Sequence, residues 1–224
     1  MGEADRSIDK VWEQIHSSRE WGKYPTEMVI RFVARNYYQT ARKNVKILDF
    51  GCGQGSHTWY LAREGFDTYA FDGSESAVRR TKDYLKREGL EAEVRLMDGI
   101  APDYKDDFFD AVIDSACIGW TTVKNIRRMY EEIYRILKPG GRLFTAFFST
   151  DTSGCGTGKY VEPGTYQDIP EGPVGGEGVI HFWTEEELRE TLKRAGFMEV
   201  QIEKFRFTSE PYVTDWLVAN GCKK

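Results

Sequence analysis

The chain has 224 residues, of which 40% are hydrophobic and 30% charged, and its formal net charge at pH 7 is −5. That length suits one α/β domain with a core of its own. An acidic chain without a dense run of lysine and arginine is poorly suited to nucleic-acid phosphates, so we do not expect nucleic acid as its partner. The polar N-terminus lacks the apolar run of a secretory signal, and no stretch approaches the ~20 apolar residues that span a bilayer. These features predict a cytoplasmic protein that stays out of the membrane.

The cysteines and histidines are scattered along the chain. No two cysteines form a CxxC pair, and the three histidines are far apart in sequence. A structural zinc site needs such ligands at short, regular spacings. We therefore expect no metal site, and free thiols in a reducing compartment.

Two amphipathic helices are predicted before residue 45. One covers residues 7–18, and Thr26 is suited to cap a second that runs to about Arg42. The first helix has its apolar side chains on one face: Ile8, Val11, Trp12 and Ile15. Residues 1–44 are expected to form a helical cap on the same domain.

From residue 45 onward, short apolar runs alternate with amphipathic helices, which is typical of a doubly wound, mostly parallel sheet. The apolar runs predict strands over 45–50, 67–72, 91–98, 108–115 and 142–149. The helices between and after them are expected over 55–64, 75–88, around 126–137 and 184–196. The last two runs, 197–208 and 211–220, have no helix between them, so we predict an antiparallel hairpin at the edge of a seven-stranded sheet.

Residues 151–178 differ from the rest of the chain. They contain eight glycines and three prolines in 28 positions and show little periodicity. Connections of this length in compact domains usually serve as lids or binding loops, or else are disordered. We interpret the segment as a lid-like loop without regular structure.

Acidic residues end three of the predicted strands, and the first of these strands runs into a glycine turn. Asp49, Asp72 and Asp98 are the acids, and the turn has glycine at positions 51, 53 and 55. Glycines let a ligand approach the backbone, and the following helix N-terminus favours negative charge. An aspartate beside such a turn would repel the pyrophosphate of a dinucleotide, whereas it suits a ligand with an amino group. The pattern fits an amino acid joined to adenosine.

The run LDFGCGQGSHTWYLAREGFDTYAFDGS resembles motif I and the acidic motif of class I S-adenosylmethionine-dependent methyltransferases. RLMD, FDAVIDS, ILKPGGRLF and FWTEEELRETLKRAGF resemble later parts of that family, so the resemblance covers residues 45–207. It implies a Rossmann-like fold, S-adenosyl-L-methionine as cofactor, and a binding domain over 45–224. It also implies a set of cofactor-binding residues: Asp49, Gly51, Cys52, Gly53, Gly55, His57, Asp72, Gly73, Ser74, Asp98, Gly99, Asp114 and Ser115.

Methyl transfer to a small-molecule oxygen or nitrogen is the function that this resemblance implies. His181 and Tyr160 are the candidate catalytic residues, because Tyr160 lies on the lid-like loop, His181 follows it, and a hydroxyl acceptor would benefit from a base. His181 could instead be structural. Trp12, Trp21 and Tyr24 could cover the site. The alternatives are a nucleic-acid methyltransferase, a non-catalytic cofactor-binding module and a nicotinamide oxidoreductase; the chain is expected to be a monomer or homodimer.

Overall fold

The computed structural model describes residues 9–224. These residues form the following α-helices: α1 (Lys10–Ser18), α2 (Glu27–Tyr37), α3 (Ser56–Arg63), α4 (Glu75–Glu88), α5 (Val123–Ile136) and α6 (Glu185–Arg194). They form the following strands: β1 (Lys46–Phe50), β2 (Asp67–Asp72), β3 (Glu93–Leu96), β4 (Phe109–Ser115), β5 (Leu137–Phe148), β6 (Lys159–Glu162), β7 (Thr165–Gln167), β8 (Ile180–His181), β9 (Met198–Ser209) and β10 (Tyr212–Cys222). The first two residues of the helix predicted over 7–18, Ser7 and Ile8, lie outside the described residues.

The main sheet has seven strands in the order β3-β2-β1-β4-β5-β10-β9. Strands β1 to β5 pair in parallel, and β10 is antiparallel to both β5 and β9. The predicted doubly wound, mostly parallel sheet with an antiparallel edge hairpin is confirmed. Strand order reverses between β1 and β4, so the carboxyl ends of these two strands mark the place where such folds bind ligands.

Both faces of the sheet are covered by helices, because successive side chains of a strand point to opposite faces. On one face, Leu48 and Val112 pack in a cluster with Ile133 of α5. On the other face, Ile47 and Ile113 pack with α2 and α3. The central strands are therefore apolar throughout, as expected from their sequence.

Helix α2 ends earlier than the sequence predicted. It stops at Tyr37 instead of about Arg42, and residues 42–44 form a separate 3₁₀ turn. The backbone N–H and the hydroxyl of Thr40 both donate to the Tyr37 carbonyl, at 3.1 and 2.7 Å. Threonine side chains that bond to nearby carbonyls compete with helix propagation in this way.

Residues 151–178 contain regular structure that we did not predict. Strands β6 and β7 form an antiparallel hairpin, and β8 completes a small three-stranded sheet in the order β6-β7-β8. The side chains of β6 are mostly exposed, so the strand lacks the alternation of apolar and polar residues that reveals a half-buried strand in sequence.

Within residues 9–224, every helix is too short or too polar to cross a bilayer. The same part of the chain contains no group of three or more histidine, cysteine, aspartate or glutamate side chains that could hold a metal ion.

Candidate functional site

A cavity of about 420 Å³ opens at the carboxyl ends of the parallel strands, where the strand order reverses. The structure brings most of the predicted cofactor-binding residues to its lining: Gly51, Cys52, Gly53, His57, Asp72, Gly73, Asp98, Gly99 and Ser115. Four others lie outside the lining: Asp49, Gly55, Ser74 and Asp114. The cavity volume lies in the range of small-molecule sites.

The turn after β1 needs its glycines. Gly51 has φ 70°, and a Cβ there would lie 2.1 Å from the sulfur of Cys117. Gly53 and Gly55 also have positive φ, and Gly55 begins α3 by bonding to the carbonyl of Cys52 at 2.9 Å. The turn therefore exposes backbone without side chains directly before the N-terminus of α3. This arrangement stabilises a ligand carboxylate or phosphate.

Asp72 links the glycine turn to the end of β2. Its side chain is 7% exposed; Oδ2 accepts the Gly53 N–H at 2.8 Å and Oδ1 accepts the Ser74 N–H at 2.9 Å. Each carboxylate oxygen can accept a second hydrogen bond, which leaves capacity for two hydroxyls of a ligand. Burial raises the pKa of Asp72, and it lowers that of His16, which lines the same cavity.

Asp49 and Asp114 lie beneath the cavity floor instead of facing the ligand space. Asp49 accepts the Thr58 hydroxyl at 2.6 Å and thereby holds the first turns of α3. Asp114 accepts the Thr145 hydroxyl at 2.6 Å and the Cys117 N–H at 3.0 Å. Burial raises the pKa of Asp49 to about 7 and that of Asp114 to about 6. Neither carboxylate lines the cavity, which differs from our expectation for Asp49, and both hold loops that do line it.

The remaining predicted residues fall into two groups. Asp98 and Gly99 line the cavity beyond β3, where a Cβ on Gly99 would lie 2.8 Å from the ring of Phe50. Ser74 lies outside the lining and caps α4, because its hydroxyl oxygen accepts the Ala77 N–H at 3.1 Å.

His57 lines the cavity, and its Nε2 accepts the backbone N–H of residue 26 at 3.3 Å. Burial lowers the pKa of His57 to about 4, so it is neutral at pH 7.

The two candidate catalytic residues lie outside the cavity lining. His181 is fully buried; its Nδ1 is 2.8 Å from the Thr165 hydroxyl, and its Nε2 is 3.4 Å from a Glu187 carboxylate oxygen without hydrogen-bond geometry. Tyr160 is 63% exposed on β6. Both belong to the small sheet, and neither lines the cavity that contains the glycine turn. We therefore withdraw the assignment of His181 and Tyr160 as catalytic residues.

Several aromatic residues line the part of the cavity over β4, β5 and β10. We call this part the aromatic chamber and define it by Trp12, Trp21, Ser115, Ala116, Cys117, Trp120, Thr121, Phe148 and Trp216. The rings of Trp12 and Trp120 are 4.9 Å apart, and those of Phe148 and Trp216 are 4.2 Å apart. Ala116 has φ 62°, a left-handed conformation that is strained for a residue with a side chain. The suggestion that Trp12, Trp21 and Tyr24 cover the site agrees with their place in the lining.

Sequence reasoning missed His16, Gln54 and Glu177, which also line the cavity. His16 could have been found, because it is four residues after Trp12 and so shares its helical face. Gln54 joins the cap to the glycine turn: its Nε2 donates to the Arg19 carbonyl at 2.8 Å and its Oε1 accepts the Trp21 N–H at 3.0 Å. Glu177 pairs with the Arg19 side chain at 2.9 Å, a contact between distant segments that no local pattern indicates.

A doubly wound sheet with a glycine turn and an acidic strand end at its switch point defines a nucleoside-binding domain. Residues 47–141 match the model of a family described as a methyltransferase domain. The match covers a little under half of the chain, so this part of the chain is similar to a methyltransferase domain, and the fold agrees with that similarity.

Two relatives illustrate the range of the family. A sterol 24-C-methyltransferase of Neurospora crassa is 26% identical over 209 residues, which cover 87% of this chain and 52% of the relative. A malonyl-[acyl-carrier protein] O-methyltransferase of Geobacter sulfurreducens is 30% identical over 161 residues, which cover 70% of this chain and 57% of the relative. The chain thus spans little more than half the length of these relatives.

A crystal structure of a SAM-dependent methyltransferase from Methanosarcina mazei has the same fold. It superposes with a TM-score of 0.67 over 85% of this chain and 97% of that chain, at 21% sequence identity. At this identity the similarity concerns the fold alone.

Proposed function

We propose that this chain transfers the methyl group of S-adenosylmethionine to a small molecule held in the aromatic chamber. The observation that supports this most is the single cavity that joins the glycine turn and Asp72 to the chamber across the β1–β4 switch point. Such a cavity can hold a donor and an acceptor side by side.

The residues of the other half of the cavity fit the cofactor. Asp72 has two free acceptor positions for the ribose hydroxyls, and Asp98 with Gly99 borders the place for adenine. The backbone of the glycine turn can contact the methionine part of the cofactor. A side chain cannot replace Gly51 there, because its Cβ would collide with the sulfur of Cys117. The buried carboxylate of Asp49, just before the glycine turn, favours the positively charged groups of the cofactor.

Gly51, Asp72 and Asp98 would hold the cofactor, which would supply an electrophilic methyl group on a sulfonium sulfur that can leave as a neutral thioether. The protein contributes by positioning the two reactants and by keeping water away from them. Holding two reactants at near-attack distance is worth up to ~7–11 kcal/mol of the barrier. The rings of Trp12, Trp120 and Trp216 line the same chamber as Ser115 and Cys117, and with an acceptor bound they would exclude water from it.

We propose that α1 and residues 151–178 together form the lid of the site. Glu13 on α1 bonds to the start of α4, and Glu177 in the loop pairs with Arg19 just after α1. A Cβ on Gly178 would lie 2.8 Å from both Asp9 and Val11, so the loop packs directly against α1. This enclosure favours a small molecule over a nucleic-acid strand as acceptor. The two relatives are named for acting on a sterol and on a malonyl group carried by a protein. Which kind of acceptor this chain uses depends on the side chains that line the aromatic chamber.

The test is thermal denaturation with S-adenosylmethionine or S-adenosylhomocysteine. A ligand at 100 times its dissociation constant adds ~2.7 kcal/mol, which is roughly 5–10 °C in Tm for a chain of this size. Asp72→Ala should abolish the shift. Asp83→Ala, at an exposed acidic position on α4, should keep it.

Two results would contradict the proposal. One is an unchanged shift in the Asp72→Ala variant. The other is a wild-type shift with NAD and none with either sulfur nucleoside. A screen of acceptors for release of S-adenosylhomocysteine then tests turnover, and loss of turnover with retained binding would indicate a non-catalytic module.

A further inference from the structure

The aromatic chamber is electrically unusual for an enzyme pocket. Within residues 9–224, no lysine or arginine lines any part of the cavity. An acceptor with a phosphate, sulfate or carboxylate would therefore enter without a counter-charge, and it would lose its hydration against indole and phenyl rings. The lining opposes anionic acceptors.

The carboxylates near the chamber are already occupied. Glu177, at the cavity wall, is paired with the Arg19 guanidinium at 2.9 Å. Asp114 is fully buried under the floor and accepts three hydrogen bonds, from the Thr145 hydroxyl and from the N–H groups of Cys117 and Ile118. A cationic acceptor would find aromatic faces but no unpaired carboxylate, and cation–π attraction alone does not replace the hydration of an ammonium group.

The polar groups that line the chamber are neutral. They include the hydroxyls of Ser115 and Thr121. The indole of Trp120 already donates to the Ala116 carbonyl at 2.8 Å. The Trp12 Nε1 makes no hydrogen bond with any group in residues 9–224, but this atom is inaccessible to solvent and therefore does not face the open chamber.

We propose that the methyl acceptor is an uncharged, largely apolar molecule. This inference rests on the proposed function, because it assigns the aromatic chamber to the acceptor. It separates neutral compounds from phosphorylated, carboxylated and quaternary ammonium compounds as the substrate class.

The experiment uses three probes of one size and different charge: 2-naphthol (neutral), 2-naphthoate (anionic) and N-methylquinolinium (cationic). Their dissociation constants are measured by titration calorimetry at pH 7.5 on the chain saturated with S-adenosylhomocysteine. We expect 2-naphthol to bind at least tenfold more tightly than either charged probe. Equal or tighter binding of a charged probe, or no binding of 2-naphthol, would overturn the inference.

Two tryptophan variants test whether 2-naphthol binds in the chamber. Trp216→Ala removes one ring of the chamber, so 2-naphthol should bind at least fivefold more weakly. Trp59→Ala is the matched control, because Trp59 lies outside the cavity lining. Equal losses in the two variants would place the probe outside the chamber and overturn the inference.

The outcome for the cofactor is read separately. If S-adenosylhomocysteine fails to raise the melting temperature, the proposed function falls and this inference falls with it. If the cofactor product binds and the charged probes bind as tightly as 2-naphthol, only the inference is overturned.

Discussion

Glu13 and Ser76 are joined by two hydrogen bonds: the Ser76 hydroxyl donates to Oε1 at 2.6 Å and its backbone N–H donates to Oε2 at 3.2 Å. The Ser74 hydroxyl donates to the same carboxylate at 2.5 Å. Since α4 begins at Glu75, the carboxylate lies at a helix N-terminus, where negative charge is favoured. These bonds hold α1, and with it Trp12 and His16, above the cavity.

Replacing Glu13 by Ala should weaken cofactor binding without removing any residue from the cavity lining. Hydrogen bonds to a charged group contribute about 1.5–3 kcal/mol when buried, and this group is partly exposed, so we expect a loss of about 1–2 kcal/mol. That is roughly a fivefold to thirtyfold increase in the dissociation constant of S-adenosylmethionine, measured by calorimetry. Gln14→Ala, on the exposed side of the same helix, should bind like wild type. Equal affinity of the two variants would show that Glu13 does not hold α1 in place.

Gly51→Ala should be much more damaging than Gly65→Ala. Both glycines have positive φ, 70° and 84°, so each substitution adds strain of about 1–2 kcal/mol. At Gly65 nothing lies within 4 Å of the new Cβ, whereas at Gly51 the Cys117 sulfur would be 2.1 Å away. We expect Gly65→Ala to lower Tm by a few degrees and to bind the cofactor normally, and Gly51→Ala to lose binding.

A second substitution separates the collision from the strain. In Gly51→Ala with Cys117→Gly, the closest remaining atom of residue 117 is its Cα at 3.9 Å, an ordinary contact. Cofactor-induced stabilisation should then return in part. If the cofactor stabilises the double variant no more than Gly51→Ala alone, backbone strain at the turn accounts for the entire loss of binding.

Local sequence patterns were sufficient for the sheet but not for the second half of the site. Strands β1, β2 and β4 are short apolar runs that end in acids, so both their existence and their ligand-facing ends could be predicted. Trp120, Phe148 and Trp216 come from three separate segments, and only the packing of β4, β5 and β10 brings them together. No spacing along the chain contains that information.

The sequence also did not predict the direction in which individual side chains point. Asp49 and Asp72 both end parallel strands, yet Asp49 turns under α3 to Thr58, whereas Asp72 faces the cavity. His181 is near the lid in sequence, but pairing of β8 with β7 buries it against Thr165. These outcomes depend on pairings between elements, which the sequence pattern does not specify.

His181→Ala should reduce stability and leave cofactor binding intact. The side chain is fully buried, and its removal leaves a void and deprives the Thr165 hydroxyl of its partner. We expect a loss of about 2–4 kcal/mol, or roughly 5–15 °C in Tm. The dissociation constant of S-adenosylmethionine, measured well below the lowered Tm, should change less than twofold. A large loss of affinity for S-adenosylmethionine in a folded His181→Ala variant would show that His181 belongs to the cofactor site after all.

The buried carboxyl of Asp49 should make the stability of the chain depend on pH. Burial raises its pKa to about 7, from an ordinary value of 3.8, against the hydrogen bonds from Thr58 and with the help of the charges on Asp72 and Asp114. Between these two values the folded state holds a proton that the unfolded state has released. The resulting stability is fully present below about pH 4 and is lost as the pH rises through about 7.

Asp49→Asn isolates this effect, because the amide keeps the shape of the carboxyl and stays neutral at every pH. The variant should melt close to wild type at pH 4, and it should melt increasingly above wild type as the pH rises to 8, where wild type holds a buried charge. The same charge attracts a sulfonium, so wild type should bind S-adenosylmethionine more tightly at pH 8 than at pH 6, and the variant should lose this increase. Asp114 is present in both proteins, so its own titration cancels in the comparison. A difference in Tm that is the same at pH 5 and pH 8 would mean that Asp49 is ionised throughout and that its charge is already balanced within the fold.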